Sequence, residues 1–202
     1  MEIKPFKIRA SKLSAIMTEP KKEKETLSEG AKTYCEEWLI SQIYQKEKEI
    51  KSKYMTKGNE CEQLGIDRYN RTFGTFCVKN ETFFEDDWIT GTPDIVEQDR
   101  IIDIKASWDC WTFPLLENKI TNKAYYWQLQ AYMYMLGKSK AELVYCLENY
   151  IDEFGNVYNY DDVEDKHRIK VFKLDYDPEV IEKAKEKVNA CREYIELLKT
   201  NL

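Results

Sequence analysis

Between Trp88 and Ser107, "WITGTPDIVEQDRIIDIKAS", isoleucine and valine alternate with polar residues on both sides of the polar run "EQDR". Alternation with a period of two marks strands that bury one face, so the stretch predicts two adjoining strands joined by a turn. Successive strand side chains leave opposite faces, which puts Asp103 and Lys105 together on one of them. The same pattern puts Asp94 on the neighbouring strand. A chain folding this way commits two carboxylates and an ammonium to one patch, and the other elements have to be arranged around it.

Those elements read as follows. A short segment around Ser11 leads into the Lys/Glu-rich connector "KKEKETLSEG". Apolar residues at helical spacing (Tyr34, Trp38, Leu39, Ile43) predict an amphipathic helix in "AKTYCEEWLISQIYQ", and a second is expected around "GNECEQLGIDRYNRTF". "FCVKNETFF", "WITGTPDIVE" and "RIIDIKAS" then read as an antiparallel meander. An aromatic-rich helix, "KAYYWQLQAYMYML", stops at Gly137. "AELVYCLEN" and "HRIKVFKLDYD" are strands separated by a polar loop, and Asp177-Pro178 opens a last helix. Helices, meander, helix, strands and helix make an α/β sandwich around a mixed central sheet.

Composition narrows the chemistry. Six cysteines are scattered singly without a CxxC pair, which argues against a disulfide framework or an iron–sulfur cluster. The single histidine, His167, excludes multi-histidine zinc sites and reads as a surface or strand-end residue. No window supplies the roughly 18 apolar residues of a membrane span, and the start lacks a secretory apolar core, so no membrane partner and a cytoplasmic location are expected. In a cytoplasm the acceptor triplets beginning at Asn70 and Asn80 carry no weight. The net charge of −6 hides an asymmetry: residues 1–57 hold 13 Lys and Arg against 9 Asp and Glu, a net of +4, leaving −10 for the rest. A basic region beside an acid-lined site suits a metal-dependent enzyme acting on phosphates, although ordinary surface charge gives the same sum.

Two converging carboxylates repel each other unless a positive charge lies between them. A hard divalent cation such as Mg²⁺ meets that need, held by carboxylates, a backbone carbonyl, waters and phosphate oxygens. Asp94, Asp103 and the carbonyl of Ile104 are candidate ligands, with Mn²⁺ as a substitute ion. Lys105 is then placed to orient a metal-bound water or to neutralise charge on a phosphorane-like transition state. An exposed salt bridge would use the same residues for little gain.

At these residues the sequence resembles the PD-(D/E)xK nucleases, with Pro93-Asp94 as the first half of the motif and Asp103-Ile104-Lys105 as the second. Gly58 and Glu62 are similar to the G-x-x-x-E helix of the lambda-exonuclease and RecB-like branch, which implies that Glu62 reaches the metal; Glu60 is the weaker candidate. Gln128, Gln130 and Tyr132 resemble the Q-x-Q or Q-x-x-x-Y pattern on the helix after the core strands, implying that Gln128 orients the lysine, the water or a phosphate. The aromatic residues around them read as packing. "KIRASKLSAIMTEPKK" is similar to the N-terminal segment of YqaJ-type viral recombinases. There Ser11 matches the family serine, while Arg9 and Lys12 are phosphate-binding candidates by charge, and Gln130 joins them as a DNA contact.

The resemblance implies a restriction-endonuclease-like α/β sandwich and a Mg²⁺-dependent 5′→3′ exonuclease on linear duplex DNA, of phage or prophage origin, using one or two ions. It also implies a single-strand annealing partner and a ring-shaped homotrimer. A single nuclease domain over 1–202 is expected, with 1–57 lining the DNA channel, 58–137 forming the catalytic core and 138–202 supplying the last strands and helix. A Cas4-like or RecB-like nuclease, a restriction-type endonuclease and a non-catalytic DNA-binding scaffold stay open. The cluster-bearing Cas4 branch is disfavoured, because only Cys146 and Cys191 are available towards the C-terminus.

Overall fold

In a computed structural model the backbone of residues 3–21, 25–48 and 53–202 is described, together with the side chains of all of these except 53–60. Strand β5 (Arg100–Ala106) lies at the centre. It pairs antiparallel with β4 (Ile95–Val96) on one edge and parallel with β6 (Lys140–Cys146) on the other; β6 pairs antiparallel with β9 (Ile169–Asp175). The central sheet is therefore mixed and flanked by helices, as the sequence predicts.

Alternation along β5 sorts its side chains between two cores. Ile102 and Ile104 pack with Ile66 and Tyr69 of α3 (Lys53–Phe73), whereas Ile101 joins a larger cluster with Leu129 and Met133 of α4 (Lys123–Leu136). Each such burial contributes about 1.5–3 kcal/mol. Helix α3 approaches β5 very closely at Gly65, where an added Cβ would sit 2.6 Å from Cγ2 of Ile104. Helix α4 makes the crossover from β5 to parallel β6, and α1 (Leu13–Ile16) and α2 (Glu29–Tyr44) pack on α5 (Pro178–Lys199).

Helix ends follow the expected chemistry. Ser28 Oγ accepts the Ala31 N–H, Asn122 Oδ1 accepts from Ala124, and Asp177 accepts from Glu179 with Pro178 in the first turn. Gly137 stops α4 at φ 60°, a left-handed conformation that glycine adopts without a Cβ penalty.

The meander needs correction. The run containing Asp94 is broken at Thr92-Pro93-Asp94 into β3 (Ile89–Gly91) and β4, which belong to different sheets. Pro93 has no N–H to give a ladder, so pairing ends there. β3 is instead the middle strand of a small sheet between β1 (Ile8–Arg9), parallel, and β2 (Phe84–Glu85), antiparallel. "FCVKNETFF" forms a strand only at its end; Phe76 and Val78 are 96% and 76% exposed. The polar loop after β6 contains an unforeseen hairpin, β7 (Tyr150–Ile151) and β8 (Val157–Tyr158). No helix among the described residues is long and apolar enough to cross a membrane.

Candidate active site

The break between β3 and β4 puts Asp94 at the edge of β5 just where β4 has ended. There its Oδ2 accepts the backbone N–H of Ile104 at 2.7 Å. In an extended strand the N–H and C=O of one residue leave on the same edge. The Ile104 carbonyl is thus directed to the side on which Asp94 sits, in keeping with its role as a candidate ligand.

Asp103 projects from the opposite side of the strand to Ile102 and Ile104 and is fully buried. Gln128 of α4 donates from Nε2 to Asp103 Oδ1 at 3.1 Å and to the Tyr132 hydroxyl at 3.2 Å, and that hydroxyl donates to the Thr92 carbonyl at 3.2 Å. The two residues lie one turn apart, and their chain of bonds ties Asp103 to the segment carrying Asp94. Close packing reinforces the tie, since a Cβ on Gly91 would lie 2.7 Å from Cε1 of Tyr132. Burial and then the charge of Asp103 push the Tyr132 hydroxyl up to about 12.

Lys105 Nζ lies 2.6 Å from Asp103 Oδ2, an ion pair with the fully buried acid. The ammonium also faces the Tyr125 ring at 5.2 Å. Burial alone would lower the Lys105 pKa, but Asp103 and Asp94 outweigh it and hold the lysine charged. Asp94 moves the other way: burial first, then the charge of Asp103, raise it to about 7 against the pull of Lys105. Two converging carboxylates, one fully buried and one that resists ionisation, together with a carbonyl on the same edge, are a donor set that fits a hard divalent cation.

Glu62 of α3 stands one step away. Its Oε1 pairs with Lys79 Nζ at 3.0 Å, and its charge reaches Asp94 only as a lesser contribution. Among the described residues no group of three or more His, Cys, Asp or Glu side chains is gathered for a metal. The structure therefore brings Asp94, Asp103, Lys105 and Gln128 together and leaves Glu62 beside them. Gly58 lies within α3, and the side chain of Glu60 falls outside the described residues.

Gln130 requires a correction. It is 0% exposed, donating to the Asp175 carbonyl at 2.9 Å and accepting the Asp177 N–H at 2.8 Å, so it joins α4 to the start of α5 and has no face for a phosphate. Arg9, Ser11 and Lys12 are exposed, on β1 and the 3₁₀ turn Ala10–Lys12. Arg9 and Lys12 line a groove of about 920 Å³ together with Lys4, Lys7, Lys46 and Lys48; it also includes Thr90 of β3, the strand leading to Asp94. The wall includes Ser14, and Ser11 lies outside it.

Lys79 was missed by sequence reasoning. It sits on an extended strap, 75–82, anchored twice: Asn70 donates to the Cys77 carbonyl and accepts its N–H, both at 2.8 Å, and Asn80 donates from its backbone to the Asp94 carbonyl at 2.7 Å and from Nδ2 to that of Pro93 at 2.9 Å. These are the two asparagines of the acceptor triplets, set aside as uninformative.

A mixed central sheet between helix layers, with a Pro-Asp break at one strand edge and Asp-x-Lys on the next strand, defines a PD-(D/E)xK-like nuclease fold. Within that class the chain is related to the phage exonucleases. It superposes on the crystal structure of a phage related exonuclease from Haemophilus somnus with a TM-score of 0.82 and 28% identity, over 98% of this chain and 97% of that one. An alkaline exonuclease from Laribacter hongkongensis (LHK-Exo) matches in fold with a TM-score of 0.72 at 20% identity, over 96% and 92% of the two chains, and its complex with dAMP gives 0.73. A scan against protein-family models found no match, and a search of the curated proteins found none.

Proposed function

We infer that this protein is a divalent-metal-dependent DNA exonuclease of the phage recombination type, hydrolysing phosphodiester bonds. The single observation that carries this reading is the meeting of Asp94, Asp103 and Lys105 at the β5 edge. The phage related exonuclease that aligns over nearly the whole chain supports the same reaction class.

In this reading Asp94, Asp103 and the Ile104 carbonyl would hold Mg²⁺, or Mn²⁺ in its place, with Glu62 completing the set. The bound ion supplies an activated water and a Lewis acid at the phosphoryl oxygen. Lys105, beside Asp103, would orient the attacking water or neutralise the charge growing on the phosphate. Gln128 is a positioning residue, because it holds Asp103 and faces no reacting atom. Arg9 and Lys12 supply phosphate contacts along the basic groove, with Ser11 at its margin. We assign 1–202 to one nuclease domain whose basic N-terminal part, 1–57, lines the DNA path. Digestion 5′→3′ from linear duplex ends, an annealing protein that receives the single strand, a homotrimer around DNA and a cytoplasmic site of action belong to the same proposal.

The test is digestion of end-labelled linear duplex carrying 5′-phosphate or 5′-hydroxyl ends, beside a covalently closed circle, with Mg²⁺ or EDTA, using wild type and Lys105→Ala. Nucleotide release confined to linear DNA, and lost with EDTA and with the substitution, is expected. Cutting of the circle would replace the exonuclease with an endonuclease built on the same site, and an inert wild type would leave a DNA-binding scaffold.

A further inference from the structure

Lys79 is a cation within electrostatic reach of Asp94 that none of the motifs claims. Its strap is fixed to α3 by Asn70, through Cys77, and to the Pro93-Asp94 backbone by Asn80, which leaves two residues, Val78 and Lys79, between the anchors. From there the ammonium meets Glu62 Oε1 at 3.0 Å, with the lysine side chain 43% exposed and the glutamate 20%. So short a span between double anchors fixes where the Lys79 backbone stands, while the exposed stem leaves its ammonium free to change partners.

We propose that Lys79 is an internal competitor for Glu62: it neutralises the glutamate in the metal-free enzyme, yields it when a divalent cation binds beside Asp94, and then offers its ammonium to a phosphate of the DNA strand at the site. The inference rests on the reading of Glu62 as a metal ligand. It follows from charge. Asp94 and Asp103 converge with Glu62 standing beside them, and before any cation enters, Lys105 pairs with Asp103 and Lys79 with Glu62. An arriving cation competes with Lys79 for the same carboxylate oxygens, and the displaced ammonium is left beside the site where the negatively charged strand arrives.

The experiment is a Mn²⁺ titration by calorimetry, without DNA, of wild type, Lys79→Met, Glu62→Gln and the double variant, each checked for an unchanged circular dichroism spectrum. Lys79→Met is expected to bind Mn²⁺ about two- to fivefold more tightly, the range of one exposed ion pair. Glu62→Gln should bind it more weakly, and adding Lys79→Met to Glu62→Gln should change nothing. With Ca²⁺ in place of Mg²⁺ to prevent cleavage, Lys79→Met should bind a 5′-phosphorylated duplex several-fold more weakly, with a salt dependence shallower by about one charge. Unchanged Mn²⁺ affinity in Lys79→Met, equal tightening in the Glu62→Gln background, or an unaltered salt dependence overturns the exchange while leaving the metal site intact. Unchanged Mn²⁺ affinity in Glu62→Gln removes Glu62 from the site, and the proposal falls with it.

Discussion

Gln128 and Asp103, on different elements and 25 residues apart in sequence, are joined by an amide-to-carboxylate hydrogen bond of 3.1 Å inside the protein. The same amide nitrogen also reaches the Tyr132 hydroxyl. One side chain thus sets the orientation of the buried acid and links it to the loop that carries the second. Replacing it by leucine should leave Asp103 Oδ1 without its donor, lowering kcat about 10- to 100-fold and Mn²⁺ affinity in the same sense, with KM for DNA little changed. Steady-state kinetics and a Mn²⁺ titration check both parts; a rise in KM alone would assign Gln128 to DNA binding.

Asp94 makes the metal-free protein sensitive to pH. Burial and Asp103 raise its pKa to about 7, so between the ordinary carboxylate range and neutrality the folded state binds more protons than the unfolded chain. Stability in EDTA should therefore fall as the pH rises through this window. Asp94→Asn is expected to flatten that dependence and to raise Tm by several degrees at pH 8 in EDTA, while abolishing cleavage. Thermal melts from pH 5 to 8 test the sign, and a lower Tm in the variant at pH 8 would contradict it.

Lys105 is expected to act on stability as well as on rate. Lys105→Ala should reduce cleavage by about 10²–10³-fold or more. Without the ammonium, buried Asp103 loses the positive charge beside it in EDTA, so the variant should melt well below wild type there and recover much of the difference in Mn²⁺. Equal melting deficits in the two buffers would separate the lysine from the metal site.

Gly65 tests how tightly α3 must seat against β5. An alanine Cβ would lie 2.6 Å from Ile104 Cγ2, so one of the two elements must shift. Gly65→Ala should cost about 1–3 kcal/mol in denaturant unfolding, despite the better helix propensity of alanine. Because Glu62 rides on the same helix, metal affinity should drop too.

Much of the site was legible because it is local. Asp103-Ile104-Lys105 follows from alternation along one strand, and the one-turn spacing of Gln128 and Tyr132 from helical period alone. The break at Pro93 was legible in principle, since a proline ends a ladder, but continuous alternation across it read as one strand. Gln130 misled because two amides two residues apart look equivalent in sequence, yet two positions along a helix turn the side chain about 200° to another neighbour. Lys79 left no local trace. Its importance comes from two asparagine anchors that reach α3 on one side and the Asp94 turn on the other, and such contacts across the fold have no periodic signature. The hairpin β7–β8 has strands of two residues each, too short for alternation to set them apart from a loop.

The bond from the Ile104 N–H to Asp94 has a spectroscopic consequence. At that point β4 has ended, so the amide has a carboxylate as its partner where the ladder would have supplied a backbone carbonyl. Its nitrogen and proton frequencies accordingly register the charge and position of Asp94 directly. A single cross-peak in an amide spectrum of this chain becomes a gauge of the reaction centre, read without substrate and without turnover.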